Sequence, residues 1–248
     1  MNFFPAELRL TLKTKYEVDV KKAYFCIDGF SFKRINDFYR YEHKRRSRLS
    51  IAAMETYLRY EIERRFEWKS DFEHLTIEKH FYHPSENPER FFYKSDVKEA
   101  ILKFERNLTD QGYAVHYAQA ANILNPKPND GIFADWVIAR ELGKFDIFIL
   151  LSTQGQYVNI LRQTKLCEIK SMLIGWDSTC RNSSGETSRW KTDKILVGYA
   201  SAYCPLERML NLPNGKHPLV EIMFEKFFSP GFRQPESFPK YPLGQLCG

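Results

Sequence analysis

The chain has 248 residues, of which 43% are hydrophobic and 27% charged, with a formal net charge of +6. That balance suits one globular domain with a sizeable core and excludes a largely disordered chain. The longest apolar run, FDIFILLS at residues 145–152, is far too short to cross a bilayer and has the length of a buried strand, which excludes a membrane helix there.

The opening residues interrupt their apolar character with Glu7, Arg9 and Lys13, unlike the unbroken apolar core of a signal peptide. Cys26, Cys167, Cys180, Cys204 and Cys247 are scattered, without a CxxC pair or zinc-like spacing, and read as free thiols. Both features lead to the expectation of a cytoplasmic protein with no membrane association. Residues 1–22 read as an N-terminal extension, 23–205 as the folded domain, and 206–248 as a Pro-rich, extended C-terminal segment. The aromatics of that last segment suit packing on its own core, on a protein partner or on a second copy.

In chain order, AYFCID at 23–28 is a short apolar run ending in Asp-Gly, a buried strand followed by a turn. The run 33–48 concentrates basic residues, which suits either phosphate binding or a solvated helix face. Ser50 is placed to cap a helix whose Ala53, Tyr57, Tyr60 and Ile62 recur at helical period. LTIEKHFY at 75–82 alternates like a strand, and the polar, Pro-containing 83–88 ends it. Ser95 can cap a helix with the apolar stripe Val97, Ile101, Leu102, Phe104 and Leu108, closed at Gly112.

YAVHYA at 113–118 is the next strand, and NPKPND at 125–130 a loop before a helix over 131–142 that Gly143 closes. The strand 145–152, the turn Thr153 to Gln156, a helix over 157–165 and a strand over 168–176 follow. Residues 179–189 read as a mobile polar loop and 189–204 as helical. Alternating strands and helices predict an α/β fold, a Rossmann-like three-layer sandwich with a mainly parallel central sheet.

In such sheets, function collects beyond the carboxyl ends of the strands. The expected strand ends place Asp28, Asp130, Asp135, the segment 153–156 and Asp177 there. Clustered carboxylates are what Mg²⁺ requires, because the ion takes hard oxygen ligands and keeps several waters. Each residue also has a plainer role. Asp28 can open an Asp-Gly turn, Asp130 can cap a helix, and Gly155 can permit a tight turn. Asp135 sits within an apolar helical stretch and requires a partner. His80 and His83 lack a third ligand at recognisable spacing and read as unrelated to a metal.

The strand AYFCIDGFS, the segment KPNDGIFADWVIAREL and the strand-turn-helix DIFILLSTQGQYVNILRQ together resemble the NYN domain, the LabA-like branch of the PIN-like nuclease fold, over about residues 20–205. The family places Asp-x-x-Asn after its first strand and Ser-Gly-Asp-x-Asp-Phe after its fourth. Asp28 and Ser152 match, and Tyr157 stands for the aromatic. Ser31 stands where the family has Asn, and Gln154 and Gln156 stand where it has acids.

The resemblance implies RNA as partner and phosphodiester hydrolysis assisted by Mg²⁺ or Mn²⁺, with Asp28, Asp130 and Asp135 as the catalytic acids. Asp28, Asp135 and Asp177 would hold the metal. Ser152, Gln154, Gln156, Lys127, Arg181 and Arg189 would meet substrate. A glutamine keeps a carbonyl oxygen but loses the unit charge on which a divalent site depends. The alternative expectation is therefore a catalytically silent RNA-binding or protein-interaction module of the same fold.

Overall fold

The computed structural model describes residues 20–43, 46–71, 73–83, 95–117, 129–181, 187–212 and 216–225. Its centre is a six-stranded parallel sheet built from β1 (Lys21–Asp28), β3 (Leu75–His83), β4 (Tyr113–Tyr117), β5 (Ile147–Leu151), β6 (Lys170–Gly175) and β9 (Ala202–Pro205). The spatial order is β4-β3-β1-β5-β6-β9. Counted along the chain, these strands run 3-2-1-4-5-6, the doubly wound Rossmann arrangement, and the order reverses between β1 and β5.

Along β1 successive side chains go to opposite faces, as strand geometry demands. Ala23, Phe25 and Ile27 join one core, whereas Tyr24 and Cys26 join the other. The first core is covered by α1 (Gly29–Asp37), α2 (Ala53–Phe66) and α3 (Ser95–Asp110). The second is covered by α4 (Asn129–Glu141), α5 (Val158–Leu166) and α6 (Lys194–Tyr199). Phe25, Phe148 and Leu150 are fully buried, and each such side chain contributes about 1.5–3 kcal/mol relative to exposure. The expected three-layer α/β sandwich is the fold observed. No helix among the described residues is long and apolar enough to cross a membrane.

Several expectations are corrected. The Asp28-Gly29 pair does not make a simple turn; it starts α1, which continues into a π-helical turn at Phe38–Glu42. Ser50 does not cap α2, because a turn at 51–52 intervenes and Ala52 holds the cap position without a side-chain bond. In the polar stretch after Asp177, β7 (Ser178–Arg181) and β8 (Thr187–Trp190) pair antiparallel, and 182–186 lie outside the described residues. Residues 189–204 are not one helix: they hold the end of β8, the six-residue α6 and most of β9.

The C-terminal segment does not begin extended at 206. Instead α7 (Leu206–Leu210), α8 (Pro218–Ile222) and β10 (Phe224–Glu225) follow, and β10 pairs with β2 (Arg48–Leu49). Leu206, Leu210, Leu219 and Met223 enter the first core. Residues 226–248 lie outside the described residues, as does the expected N-terminal extension up to residue 19.

A buried carboxylate ties α2 to the sheet. Glu61 accepts from Arg64 at 2.9 Å and Arg65 at 2.6 Å, and the Cys204 thiol of β9 lies 3.4 Å from the same oxygen. The α3 helix ends as its sequence predicts, with Gly112 at φ +76°, a conformation that glycine adopts without strain.

Candidate functional site

The reversal of strand order opens a crevice beyond the carboxyl ends of β1 and β5, where doubly wound sheets bind ligands. β1 delivers Asp28 to it, and β5 delivers Ser152. The Asp28 carboxylate is 1% exposed. Its Oδ1 accepts from the Phe30 N–H at 3.1 Å and so caps α1. Its Oδ2 accepts from the Ser31 hydroxyl at 2.7 Å and the Ser152 hydroxyl at 2.9 Å.

Both hydroxyls also accept. The Thr153 N–H donates to Ser31 Oγ and the Gln154 N–H to Ser152 Oγ, each at 3.0 Å. One buried carboxylate thus fixes the start of α1 and the loop leaving β5. Burial nonetheless outweighs these bonds and pushes the Asp28 carboxyl above the usual carboxylate range. Tyr157 is buried beside it, and its hydroxyl has no bond partner among the described residues. Burial first, then the Asp28 charge, pushes that phenol up as well.

Asp135, on α4, is partly exposed and has polar partners. It accepts from the Tyr82 hydroxyl at 2.8 Å and lies 3.4 Å from His116 Nδ1. His116 Nε2 is 2.9 Å from His80 Nδ1, and His80 Nε2 is 3.1 Å from Glu78. The contact between two ring nitrogens requires one to carry a proton and the other to lack it. Burial lowers the basicity of both rings; for His80 the His116 charge adds to that, whereas Asp135 opposes it at His116. His80 therefore pairs with a histidine on the neighbouring strand and not with His83.

Asp177, beyond β6, is held apart from these groups in its own network. Its Oδ1 accepts from the Thr192 N–H at 2.8 Å, and its own N–H donates to Glu207 at 3.1 Å. Asp130 lies in the first turn of α4, which begins one residue earlier, and its side chain is outside the described residues, as are Lys127 and the side chain of Arg181. Arg189 is exposed on β8, and Gln156 is exposed in a single 3₁₀ turn, Gly155–Tyr157.

Among the described residues, no three of His, Cys, Asp and Glu group in a way that could hold a metal ion. Asp28 spends its oxygens on three protein donors, and Asp135 is turned to Tyr82 and His116. Those residues do not offer Mg²⁺ or Mn²⁺ the open, hydrated carboxylate set that either ion takes.

What adjoins Asp28 is a cavity of about 240 Å³, lined by Ser31, Arg34, Thr153, Gln154, Trp190 and Lys191 among others. The Arg34 guanidinium lies 3.2 Å from the Trp190 ring centroid and 5.0 Å from that of Phe30. A guanidinium over an aromatic ring is a favourable cation–π pair. Arg34 sits six residues, nearly two turns, along α1 from Asp28, on the helix that this cap starts. In the sequence Arg34 belongs only to a basic run, and nothing there distinguishes Trp190.

Gly155 closes the cavity's inner wall by close approach. A Cβ there would lie 2.2 Å from Asp193 Oδ2. Asp193 in turn caps α6 through the Ile195 N–H at 2.8 Å, and its own N–H donates to Thr153 O. Gly155→Ala is expected to destabilise the fold by about 1–3 kcal/mol through this clash. Thermal denaturation of Gly155→Ala, Asp193→Ala and the double variant checks it. Because Asp193→Ala removes the clashing atom, the double variant should lose less than the sum. Additive losses would mean that the two side chains do not meet.

No family model matches the chain, and no curated protein matches it. Among solved structures, it is similar to the crystal structure of a protein of unknown function from Vibrio parahaemolyticus, at 13% identity and a TM-score of 0.48, over 77% of this chain and 96% of that one.

Proposed function

We propose that the chain is an NYN-like RNA-binding protein that lays single-stranded RNA across the carboxyl edge of its sheet. The observation that carries this reading is the Arg34 and Trp190 stack, with Lys191 beside it, lining a cavity at the strand-order reversal next to Asp28 and Ser152. Arg34 and Lys191 supply charge for phosphates, and Trp190 supplies a face for a base. An aromatic among cations is the combination that single-stranded nucleic acids need. Ser152 and Gln154 shape the loop that floors the cavity. Arg189, exposed on β8, extends the positive surface. A cytoplasmic setting accords with three free cysteines among the described residues.

Hydrolysis with Mg²⁺ or Mn²⁺ is the reaction that the NYN resemblance brings with it, with Asp28, Asp130 and Asp135 as its acids. We read that reaction as given up, because Asp28 is sealed among protein donors and Gln154 and Gln156 stand where acids would complete the set. Binding then remains as the inherited role.

RNA titration across salt, run beside a cleavage assay with Mn²⁺ on wild type and Asp28→Asn, tests both statements. Three phosphate contacts predict that log affinity falls with log salt at a slope of about −2. No cleavage is expected. Cleavage that disappears in Asp28→Asn would restore the enzyme reading, and affinity indifferent to salt would end the RNA reading.

A further inference from the structure

The sheet face under α4 carries a line of titratable side chains for which the RNA reading has no use. Glu78, His80, His116 and Asp135 follow one another at 3.1, 2.9 and 3.4 Å and join β3, β4 and α4. Asp135 brings α4 into the line, and its hydrogen bonds commit it there to Tyr82 and His116 rather than to a metal. Tyr82 strengthens the joint. Its ring stacks on His116 with centroids 4.5 Å apart, while its hydroxyl donates to Asp135.

We propose that this line is an acid-released latch, which holds α4 against β3 and β4 at neutral pH and lets it loosen when both histidine rings take up protons. The contact between His80 Nδ1 and His116 Nε2 admits one proton between its two nitrogens. A single added proton has a place, because the N–H groups then meet Glu78, the partner ring and Asp135. Two imidazolium rings would set N–H against N–H and charge against charge, so the contact has to open.

Other groups face the pair. From β1, the Tyr24 ring lies 4.3 Å from that of His80, and Cys26 shares the same core. Burial pushes Tyr24, Tyr82 and Cys26 up, so none of them takes a charge near neutral pH. Further along α4, the Arg140 cation lies over Trp136 and pairs with Glu141.

What the latch holds bears on the crevice. Ile132 and Trp136 of α4 are buried in the core that also holds Tyr157, and α4 touches the Gly155–Tyr157 turn. Gly155 lines the first cavity. A loosened α4 therefore withdraws support from the cavity wall, whatever ligand the crevice takes. The sign follows from proton binding. Once α4 opens, each ring meets water and ionises near the ordinary 6.5, whereas burial lowers the basicity of both in the closed form. Below that value the opened form binds more protons, so the latch is fullest above it and is lost as pH falls.

Amide hydrogen exchange of residues 132–139, corrected for the pH dependence of exchange chemistry itself, reads the opening of α4 directly. Protection is expected to hold steady above about pH 7 and then to fall, approaching about tenfold per pH unit, the effect of one refused proton. His80→Gln with His116→Gln keeps hydrogen-bonding groups but removes both ionisations, so its protection should not fall in this way. Should that variant fail to fold, ring-proton NMR titration of wild type decides. The second proton should enter the pair only below the ordinary imidazole value, at the pH where α4 loses protection. Flat protection in wild type, an equal fall in the variant, or two rings that both titrate at the ordinary value while α4 stays protected would each overturn the latch.

Discussion

Asp28→Ala is expected to lower the unfolding free energy by about 2–4 kcal/mol, a large share of the stability of a domain this size. The loss has three physical parts. The α1 cap at the Phe30 N–H disappears, at a cost of about 1 kcal/mol. The Ser31 and Ser152 hydroxyls lose their common acceptor while buried, and each unsatisfied group costs about 1–3 kcal/mol. Two effects hold the total down: the hydroxyls are 3.3 Å apart and can bond to one another, and the desolvation of the carboxyl itself is relieved. Asp28→Asn keeps the volume and one acceptor oxygen, so its loss should be smaller.

The dependence on pH has a definite sign. In the folded chain Asp28 holds its proton to higher pH than in the unfolded chain, where it ionises near 3.8. Between those two points the folded state binds more protons, so stability from this group falls as pH rises. The advantage of wild type over Asp28→Asn should therefore be fullest below the unfolded value. It should shrink from about pH 4 upward until the folded carboxyl has ionised. Denaturant unfolding of the two proteins across that range measures it. An advantage that grows with pH would mean that the three hydrogen bonds outweigh burial, and the assignment of a raised carboxyl would be wrong.

The second large effect concerns the indole. Trp190→Leu should weaken single-stranded RNA binding by about tenfold to a hundredfold, the range that loss of one base-stacking ring produces. The salt slope should hardly change, because no charge is removed. Arg34→Gln should instead lower that slope by about one contact while leaving stacking in place. Trp190 is partly buried against the first core, so a melting curve must accompany the titration, and Trp190→Phe serves as the conservative control. If Trp190→Leu and Arg34→Gln change affinity and slope in the same way, the ring is holding the arginine and not a base.

The parts of this fold that could be read from sequence are those where burial dictates composition. Residues 147–151 and 172–174 are unbroken apolar runs because the middles of β5 and β6 are covered on both faces. The α1 helix escaped notice because Asp28-Gly29 has the composition of a turn. The same aspartate is equally a good cap, and local residues do not decide between the two. The β7–β8 pair hid in a polar stretch with little apolar alternation.

At the site, Asp28 and Ser152 were legible because each ends a recognisable strand. The Arg34 and Trp190 stack was not, since it depends on how α1 and β8 converge beyond the sheet. His80 was weighed against the nearby His83, although its partner is His116, on the adjacent strand and the same sheet face. Register, and not spacing, brings those two rings together.

The placement of β1 between β3 and β5 also governs when the crevice can exist. A growing chain that has reached Tyr117 possesses β1, β3 and β4, yet only one wall of the crevice. The opposite wall arrives with β5 and the loop from Ser152 to Gly155, and the Trp190 ring later still, with β8. Ligand competence is thus a late event in synthesis, and a fragment ending before residue 147 would display Asp28 to water with nothing across from it.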